Sequence, residues 1–163
     1  TFRDVDPFYI LDLSNPKKPE VKGEIKIPGY PSYLHSFSEN YLLGIVAGES
    51  KVTLSLFDLS DIENPKENDT YILNEYWSDI LVTHRAFMVN PEKEIFFMPG
   101  SFGGYIFSYK NGKFELLESV RAEVIRRALF VDDYLYIIGD SGITVLDDSS
   151  WNKVNELKFV DNK

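Results

Sequence analysis

A short motif occurs twice in this chain and constrains its fold more than any other feature. An apolar run leads into Asp-Leu-Ser and then into a turn that closes on proline, first at residues 9–19 (YILDLSNPKKP) and again at residues 55–65 (SLFDLSDIENP). The two aspartates, Asp12 and Asp58, are separated by 46 residues. Self-similarity at a fixed spacing of this size is typical of repeat architectures.

A second set of related segments follows the same spacing. Residues 39–46 (ENYLLGIV) match residues 132–139 (DDYLYIIG), and their separation of 93 residues is about twice the first spacing. Residues 92–99 (EKEIFFMP) lie between them as the middle copy. The repeat unit is therefore about 46 residues long.

The hydrophobic pattern predicts an all-β protein. Short alternating or apolar runs, rich in aromatic and branched residues, are bounded by Gly, Pro, Asn or Asp, which is typical of strands joined by tight turns. Residues 79–85 and 122–129 are the two candidates for short helices, but neither keeps a helical apolar stripe over two turns. The fourteen predicted strands are 8–13, 21–27, 33–38, 41–47, 52–59, 69–73, 81–89, 94–98, 104–109, 113–119, 124–131, 133–139, 142–146 and 154–159.

A repeat of about 46 residues with four short strands has the size of one β-propeller blade. The strands then divide into a half blade at 8–27 and full blades at 33–73, 81–119 and 124–159. The sequence predicts a propeller fragment of about three and a half four-stranded antiparallel blades. Residues 1–163 would form a single propeller domain or part of a larger propeller.

Several longer segments resemble a known family. They are DPFYILDLSNPKKPEVKGEIKIPGY, YLHSFSENYLLGI, LSLFDLSDIENPK, THRAFMVNPEKEIFF and IRRALFVDDYLYIIGDSGITVLD. The chain resembles archaeal and bacterial secreted proteins with a C-terminal β-propeller domain, distantly related to WD repeats, and its Asp-Leu-Ser-x-Pro element resembles the LVIVD repeat of surface proteins. The resemblance implies a propeller on an extracellular or cell-surface protein that is longer than this chain. It implies no particular activity.

The composition narrows the function classes. The 26 acidic and 17 basic residues give a net charge of −9, which disfavours binding to nucleic acid and to acidic membranes. The chain has no cysteine, so disulfides, thiolate metal sites and cysteine nucleophiles are excluded. No apolar run is long enough to span a membrane. Residues 1–4 (TFRD) are neither a start methionine nor a signal peptide, so we expect a longer precursor.

The Asp-Leu-Ser motif has two interpretations. Aspartate beside a hydroxyl supplies oxygen ligands for calcium, which would make Asp12 and Asp58 a cation site. Alternatively, each aspartate ends a strand and accepts backbone N–H groups of the following turn, while Pro19 and Pro65 set the entry to the next strand. The second interpretation is favoured because neither copy has the alternating oxygen ligands of a calcium loop.

Basic residues at the heads of the repeats suggest a site at the propeller channel. The innermost strands would carry His35, His84, Arg85, Arg126 and Arg127. A cationic channel in an acidic protein would bind an anion or a carboxylate. The alternative is that these groups form structural ion pairs with acids such as Asp79, Glu123 or Asp140. Two histidines without a defined third ligand do not predict a zinc site, although His35 and His84 could meet a carboxylate in space.

Aromatic residues in or beside the predicted connections suggest a second surface. Exposed aromatics on loops are typical of carbohydrate or protein contacts, but they can also seal the joints between blades. The GSFGG segment at residues 100–104 lacks the helix that a phosphate loop requires, so it predicts a wide turn. Trp151 lies in another predicted turn and would cover the last blade. The loop aromatics are Tyr30, Tyr33, Tyr76, Trp77, Phe102 and Tyr105.

These observations leave three function classes. The first is a non-catalytic binding or scaffolding module that presents loops and a channel mouth to a protein or glycan. The second is a hydrolase-type enzyme at the channel mouth, with His84, Arg85 and Arg126 or Arg127. The third is a structural segment of a surface-layer assembly. The first is favoured because no catalytic motif such as G-x-S-x-G is present, and no cofactor or metal is predicted.

The strand count also predicts how the chain associates. Three and a half blades are too few to close a ring, since propellers have about four blades or more. We expect open blade edges and an apolar blade face, which dock on the remainder of a larger propeller or on copies of the same chain.

Overall fold

Short strands follow one another along the chain with few helical residues between them. The computed structural model describes residues 7–26, 31–47, 51–122 and 124–159. Within these ranges the strands are β1 Pro7–Asp12, β2 Glu20–Lys26, β3 Pro31–Ser36, β4 Tyr41–Ala47, β5 Val52–Asp58, β6 Lys66–Ile72, β7 Met88–Asn90, β8 Ile95–Pro99, β9 Gly104–Ser108, β10 Glu115–Val120, β11 Ile125–Val131, β12 Tyr134–Gly139, β13 Gly142–Asp147 and β14 Lys153–Lys158. None of the helices in this part of the chain is long and apolar enough to cross a membrane.

The strands form four antiparallel sheets whose strand order follows the chain. Sheet 1 contains β1 and β2, sheet 2 contains β3 to β6, sheet 3 contains β7 to β10 and sheet 4 contains β11 to β14. Each strand pairs with its neighbour in sequence, as in a β-meander. The all-β fold with one two-stranded and three four-stranded antiparallel sheets confirms the predicted propeller fragment.

The chain divides into two compact units, residues 1–74 and residues 75–163. The first unit contains sheets 1 and 2, and its buried cluster of Ile25, Val46 and Phe57 joins them. The second unit contains sheets 3 and 4. Their facing sides share a core of buried apolar residues, which are Phe97, Ile106, Ile125, Ala128, Leu135, Ile137 and Leu146.

A glycine allows close packing inside the first unit. A Cβ atom at Gly23 in β2 would lie at a clashing distance from the backbone oxygen of Ile62, which is in the connection between β5 and β6. Such a distance is far below van der Waals contact, and backbone cannot move aside cheaply. Glycine at this position therefore lets β2 of sheet 1 lie directly against the turn of sheet 2.

The repeated Asp-Leu-Ser motif forms the same turn in both copies. Asp12 ends β1, and its Oδ1 accepts a hydrogen bond from the backbone N–H of Ser14 at 2.9 Å. Asp58 ends β5, and its Oδ1 accepts from the N–H of Ser60 at 2.8 Å. Both are side-chain turns that close on the residue two positions ahead. The interpretation of these aspartates as turn caps is confirmed.

The other two sheets carry an equivalent turn at the end of their third strand. In sheet 3 the Oγ of Ser108 accepts from the N–H of Lys110 at 3.2 Å. In sheet 4 the Oδ1 of Asp147 accepts from the N–H of Ser149 at 3.2 Å. The four turns make the third strands of the sheets equivalent, and they identify β1 and β2 as the third and fourth strands of a blade.

One predicted strand is wrong. Most of residues 81–89 is not a strand, because two 3₁₀ helices, Asp79–Leu81 and His84–Ala86, occupy this segment and only its last two residues belong to the short strand β7. Each helix begins at a hydroxyl residue in extended conformation. Ser78 Oγ accepts the N–H of Ile80 at 3.3 Å, and Thr83 Oγ1 accepts the N–H of Arg85 at 3.4 Å. These side-chain caps favour helical turns over strand pairing.

Candidate functional site

The aspartates that close the third-strand turns accept hydrogen bonds, and these bonds lower the pKa values of their carboxyl groups. The backbone N–H of Ser14 lowers the pKa of Asp12, and the hydroxyl and N–H of Ser60 lower the pKa of Asp58. At Asp147 the bonds from Ser149 and Ser150 lower the pKa to about 2. Within the described ranges no three His, Asp or Glu side chains lie close enough together to hold a metal ion.

His35 lies on β3, the first strand of sheet 2, as predicted. The hydroxyl of Tyr33 is 3.4 Å from its Nδ1, and the rings of the two residues are stacked. The ring of Phe37 meets the imidazole edge to face at a centroid distance of 5.6 Å. Burial lowers the pKa of His35 from its ordinary value of 6.5, because the charged form loses hydration.

We expect the lowered pKa of His35 to make the protein less stable in mild acid. Between the folded-state pKa and 6.5 the unfolded chain binds more protons, so the free energy of unfolding rises with pH through this window and levels off above it. An NMR titration of the imidazole, assigned with His35→Gln, should give a midpoint below 6.5. A midpoint at or above that value would contradict the assignment of His35 to a half-buried site.

The structure corrects the placement of His84 and Arg85. Both were predicted on an innermost strand, but they lie on the 3₁₀ helix His84–Ala86 before β7, and both are exposed. The cap at Thr83 turns the chain before the strand begins. That these two residues bind a ligand stays a prediction. The innermost-strand position on which this prediction was based is wrong.

Arg126 and Arg127 lie on β11, the first strand of sheet 4, as predicted. The guanidinium of Arg126 is bidentate on Asp140, with Nε to Oδ1 and Nη2 to Oδ2 both at 2.9 Å. Its Nη1 donates to Oδ2 of Asp79 at 3.0 Å. These bonds raise the pKa of Arg126, and they lower the pKa of Asp140.

This arrangement is the ion-pair alternative of the sequence interpretation. Asp79 and Asp140 are two of the three acids proposed as partners, and Glu123 lies outside the described residues. Because three nitrogens of the Arg126 guanidinium already donate to carboxylates, this group has little capacity left for a ligand anion. Arg126 joins the 3₁₀ helix Asp79–Leu81 to the start of sheet 4.

The predicted loop aromatics include three exposed side chains in the second unit. The exposed fractions are 65% for Tyr76, 46% for Trp77 and 62% for Phe102. Of the remaining candidates, Tyr33 contacts His35 and Tyr30 lies outside the described residues. Tyr105 is half-buried, and its hydroxyl donates to a carboxylate, which explains why it is not part of the exposed group.

That carboxylate belongs to Glu75, a fully buried residue that the sequence interpretation missed. Its Oε2 accepts the N–H of Ser101 at 2.9 Å, and its Oε1 accepts the N–H of Phe102 at 3.0 Å as well as the hydroxyl of Tyr105. Gly100 makes room for the side chain, because a Cβ there would lie 2.5 Å from Oε1 of Glu75. Glu75, which directly precedes Tyr76 and Trp77 in the chain, therefore holds the turn between β8 and β9 in place.

A second hydrogen bond joins the segment that begins at Glu75 to the turn between β8 and β9. The hydroxyl of Ser78 donates to the backbone oxygen of Pro99, and Ser78 is fully buried. The turn itself is closed by a hydrogen bond of 2.7 Å from the N–H of Gly100 to the oxygen of Gly103, as expected for a wide turn. We refer to the three exposed aromatics Tyr76, Trp77 and Phe102 as the aromatic loop surface. Its residues belong to two segments that the hydrogen bonds of Glu75 and Ser78 join.

A cavity of about 400 Å³ lies elsewhere in the second unit. Its lining includes the apolar Ile125 and Ile137 and the basic Arg121, Lys153 and Lys158. Glu156 also lines the cavity and pairs with Lys153 at 2.9 Å. None of these basic side chains is among those predicted for the channel.

Trp151 is half-buried and packs against the core shared by sheets 3 and 4. It lies in the turn between β13 and β14, where its φ of 58° is in the left-handed region. The prediction that it covers the last blade is confirmed.

Comparison with known proteins agrees with this architecture. A family model described as a β-propeller domain matches residues 1–150. An uncharacterized protein of Archaeoglobus fulgidus is 53% identical over 159 residues, which cover 98% of this chain and 25% of that protein. An uncharacterized protein of Methanocaldococcus jannaschii is 38% identical over 161 residues, which cover 98% of this chain and 26% of that protein.

The chain thus spans about a quarter of the length of the curated relatives it matches. The family match extends over most of the four sheets, and the meander order and repeated third-strand turns are those of successive blades. The chain belongs to the β-propeller domain family.

Proposed function

We propose that this chain is a non-catalytic binding module of an extracellular or cell-surface protein, and that its aromatic loop surface binds a carbohydrate. The observation that carries the proposal is that Tyr76, Trp77 and Phe102 are exposed on two segments that the buried Glu75 holds together. Large apolar side chains that remain in water on a fixed support are typical of contact sites.

The chemistry of the surface suits a sugar. The apolar C–H face of a pyranose ring packs on flat aromatic rings, and its hydroxyls need donors and acceptors at the edge. Asp79 follows Trp77 by two residues and exposes part of its carboxylate beside the Arg126 guanidinium. A peptide bound by strand addition would require a free strand edge, whereas this surface consists of a turn and the residues before a 3₁₀ helix.

The hydrogen bonds that hold the two segments of the aromatic loop surface together also favour ligand binding. The hydrogen bonds of Glu75 and Ser78 fix the backbone on both sides of the site before any ligand arrives. A ligand that meets an ordered site loses less free energy to ordering of the protein than one that must organise a loop. The hydrolase alternative has less support, because Arg126, one of its candidate groups, is held by two carboxylates.

A glycan array probed with the purified chain, followed by calorimetry on the bound glycans, tests the proposal. We expect Trp77→Ala and Phe102→Ala to weaken binding by at least about tenfold each, the usual effect of truncating a central aromatic contact. The matched control is Val82→Ala, which shortens an apolar side chain that is 73% exposed in the same connection. It should leave the affinity unchanged.

Two outcomes would overturn this function. Binding of peptides from a random library, lost in Trp77→Ala and with no glycan bound, would make the site a protein-contact surface. Glycan binding that is unchanged in both aromatic variants would place the sugar site elsewhere on the chain. Circular dichroism of each variant checks that the fold is retained.

A further inference from the structure

The cavity of about 400 Å³ in the second unit lies at the junction of sheets 3 and 4. Ile125 and Ile137 line it, and both are 2% exposed and belong to the core that the two sheets share. Val120 and Ala122 also line it, and they pack against the same core from the end of β10 and the connection that follows. The cavity is therefore part of a contact between two sheets that this chain itself forms.

Small residues leave this space open. Part of the lining consists of Ala122, Gly139, Ser141 and Gly142. The centre of the shared core is filled by larger side chains such as Phe97, which is 0% exposed. Protein interiors are close-packed, so a group of small residues at one end of a core leaves a gap. The volume lies within the range of about 300–1,000 Å³ that is typical of small-molecule sites.

The charged part of the lining is mainly basic. Arg121, Lys153 and Lys158 line the cavity together with one carboxylate, that of Glu156. The lining thus has an excess of two positive charges in a chain whose net charge is −9. A local excess of positive charge raises the concentration of anions at the site.

Lys153 is paired, whereas the other two basic groups are available to a ligand. The Nζ of Lys153 donates to Oε2 of Glu156 at 2.9 Å. Among the residues that the structure describes, no carboxylate forms a salt bridge with Arg121 or Lys158. Arg126, in contrast, is held by two carboxylates. Arg121 therefore keeps its guanidinium donors for an incoming anion.

The register of sheet 4 places apolar and charged parts of the lining on one face. Thr144 in β13 pairs with Ile137 in β12 and with Glu156 in β14. Paired residues project from the same side of a sheet, and so do residues two apart on a strand, which adds Lys158. The lining thus changes from a buried isoleucine through a hydroxyl to exposed charges across three strands.

We propose that this cavity binds a small organic carboxylate that carries an aliphatic group. The aliphatic group packs on Ile125 and Ile137, and the carboxylate accepts charge-assisted hydrogen bonds from Arg121 and Lys158. Inorganic phosphate suits the site less well, because it has no apolar part and Glu156 would repel its second charge. The cavity lining includes no residue of the aromatic loop surface, so this site does not depend on the proposed carbohydrate binding.

An NMR titration of the chain with labelled isoleucine methyl groups tests the site, with hexanoate as the probe. We expect the methyl signals of Ile125 and Ile137 to shift progressively to saturation. The signal of Ile80, which is buried in the same unit but does not line the cavity, should stay in place. Hexanol has the same carbon chain without the charge and should bind about tenfold more weakly, since two ion pairs are lost. Inorganic phosphate should not shift the two isoleucines.

Three variants test the charged groups of the lining. Arg121→Gln and Lys158→Gln each remove one cation and should weaken hexanoate binding about threefold, as expected for exposed ion pairs. Glu156→Gln removes a competing carboxylate and frees Lys153, so it should strengthen binding by a similar factor. The matched control is Lys113→Gln, which removes an exposed basic side chain of the same unit that does not line the cavity. It should leave the affinity unchanged.

Four results would overturn the proposal. The absence of any saturable shift with hexanoate would show that the cavity does not take a carboxylate. Hexanol binding as tight as that of hexanoate would show that the charge is not recognised. Saturable binding that moves neither Ile125 nor Ile137 would place the carboxylate elsewhere on the chain. An unchanged affinity in both Arg121→Gln and Lys158→Gln, with the fold intact by circular dichroism, would show that these basic groups do not hold the ligand.

Discussion

Replacement of Phe96 by alanine should reduce the free energy of unfolding by about 3–5 kcal/mol, the usual cost of removing a buried phenylalanine. Phe96 lies on β8 and is 0% exposed. Its ring stacks on Phe107 at a centroid distance of 5.2 Å, and it also contacts Phe87 and Phe114 at 5.4 and 6.0 Å. Alanine would leave a cavity that these rigid rings cannot fill.

Urea denaturation of the purified chain measures this effect. The matched control is Phe102→Ala, the same chemical change at a side chain that is 62% exposed, which should cost no more than about 0.5 kcal/mol. If the two variants lost similar stability, Phe96 would not occupy the aromatic core of sheet 3.

Glu75→Ala should reduce the free energy of unfolding by about 3 kcal/mol, because a buried side chain that accepts three hydrogen bonds is lost and each bond contributes about 1 kcal/mol. The two N–H groups of Ser101 and Phe102 and the hydroxyl of Tyr105 would lose their acceptor. The turn that carries Phe102 would no longer be held, so the same variant should also weaken ligand binding at the aromatic loop surface.

Two companions separate the causes of this loss. Glu75→Gln keeps the volume and one acceptor oxygen, so it should lie between the native chain and Glu75→Ala in a denaturation experiment. Glu115→Ala removes an exposed carboxylate from β10 of the same sheet and should have little effect. A native-like stability for Glu75→Ala would show that this carboxylate does not organise the turn.

The strands and their order were predictable because they depend on local patterns. The second strand of sheet 2 was predicted at 41–47 and is observed as Tyr41–Ala47. Both signals for this strand are local: apolar residues alternate along it, and turn residues lie at its two ends. The third-strand turns were also predictable, because Asp12 and Asp58 bond to residues only two positions away.

The error at residues 81–89 has a local cause that the apolar pattern conceals. A 3₁₀ helix of three residues is too short to show any periodicity, so the apolar residues there suggested a strand. The caps at Ser78 and Thr83 were the available signal. Serine and threonine are common residues, however, and their presence in a sequence does not by itself distinguish a helix cap from a strand or an ordinary turn.

The site was only partly predictable, because its support is formed by residues distant in sequence. Tyr76, Trp77 and Phe102 were candidates from their positions in connections. Glu75 accepts from groups 26 to 30 residues away, and no local pattern distinguishes it from an exposed glutamate. The ion pairs of Arg126 were one of two alternatives, and the choice required the position of Asp79, 47 residues away.

The two tryptophans of this chain offer the most direct test of a carbohydrate site at the aromatic loop surface. Trp77 is 46% exposed on that surface, whereas Trp151 packs against the core of sheets 3 and 4. In an NMR titration with a glycan identified on the array, the indole N–H signal of Trp77 should shift progressively to saturation while that of Trp151 stays in place. A saturable shift of Trp151 with Trp77 unchanged would contradict the proposed function.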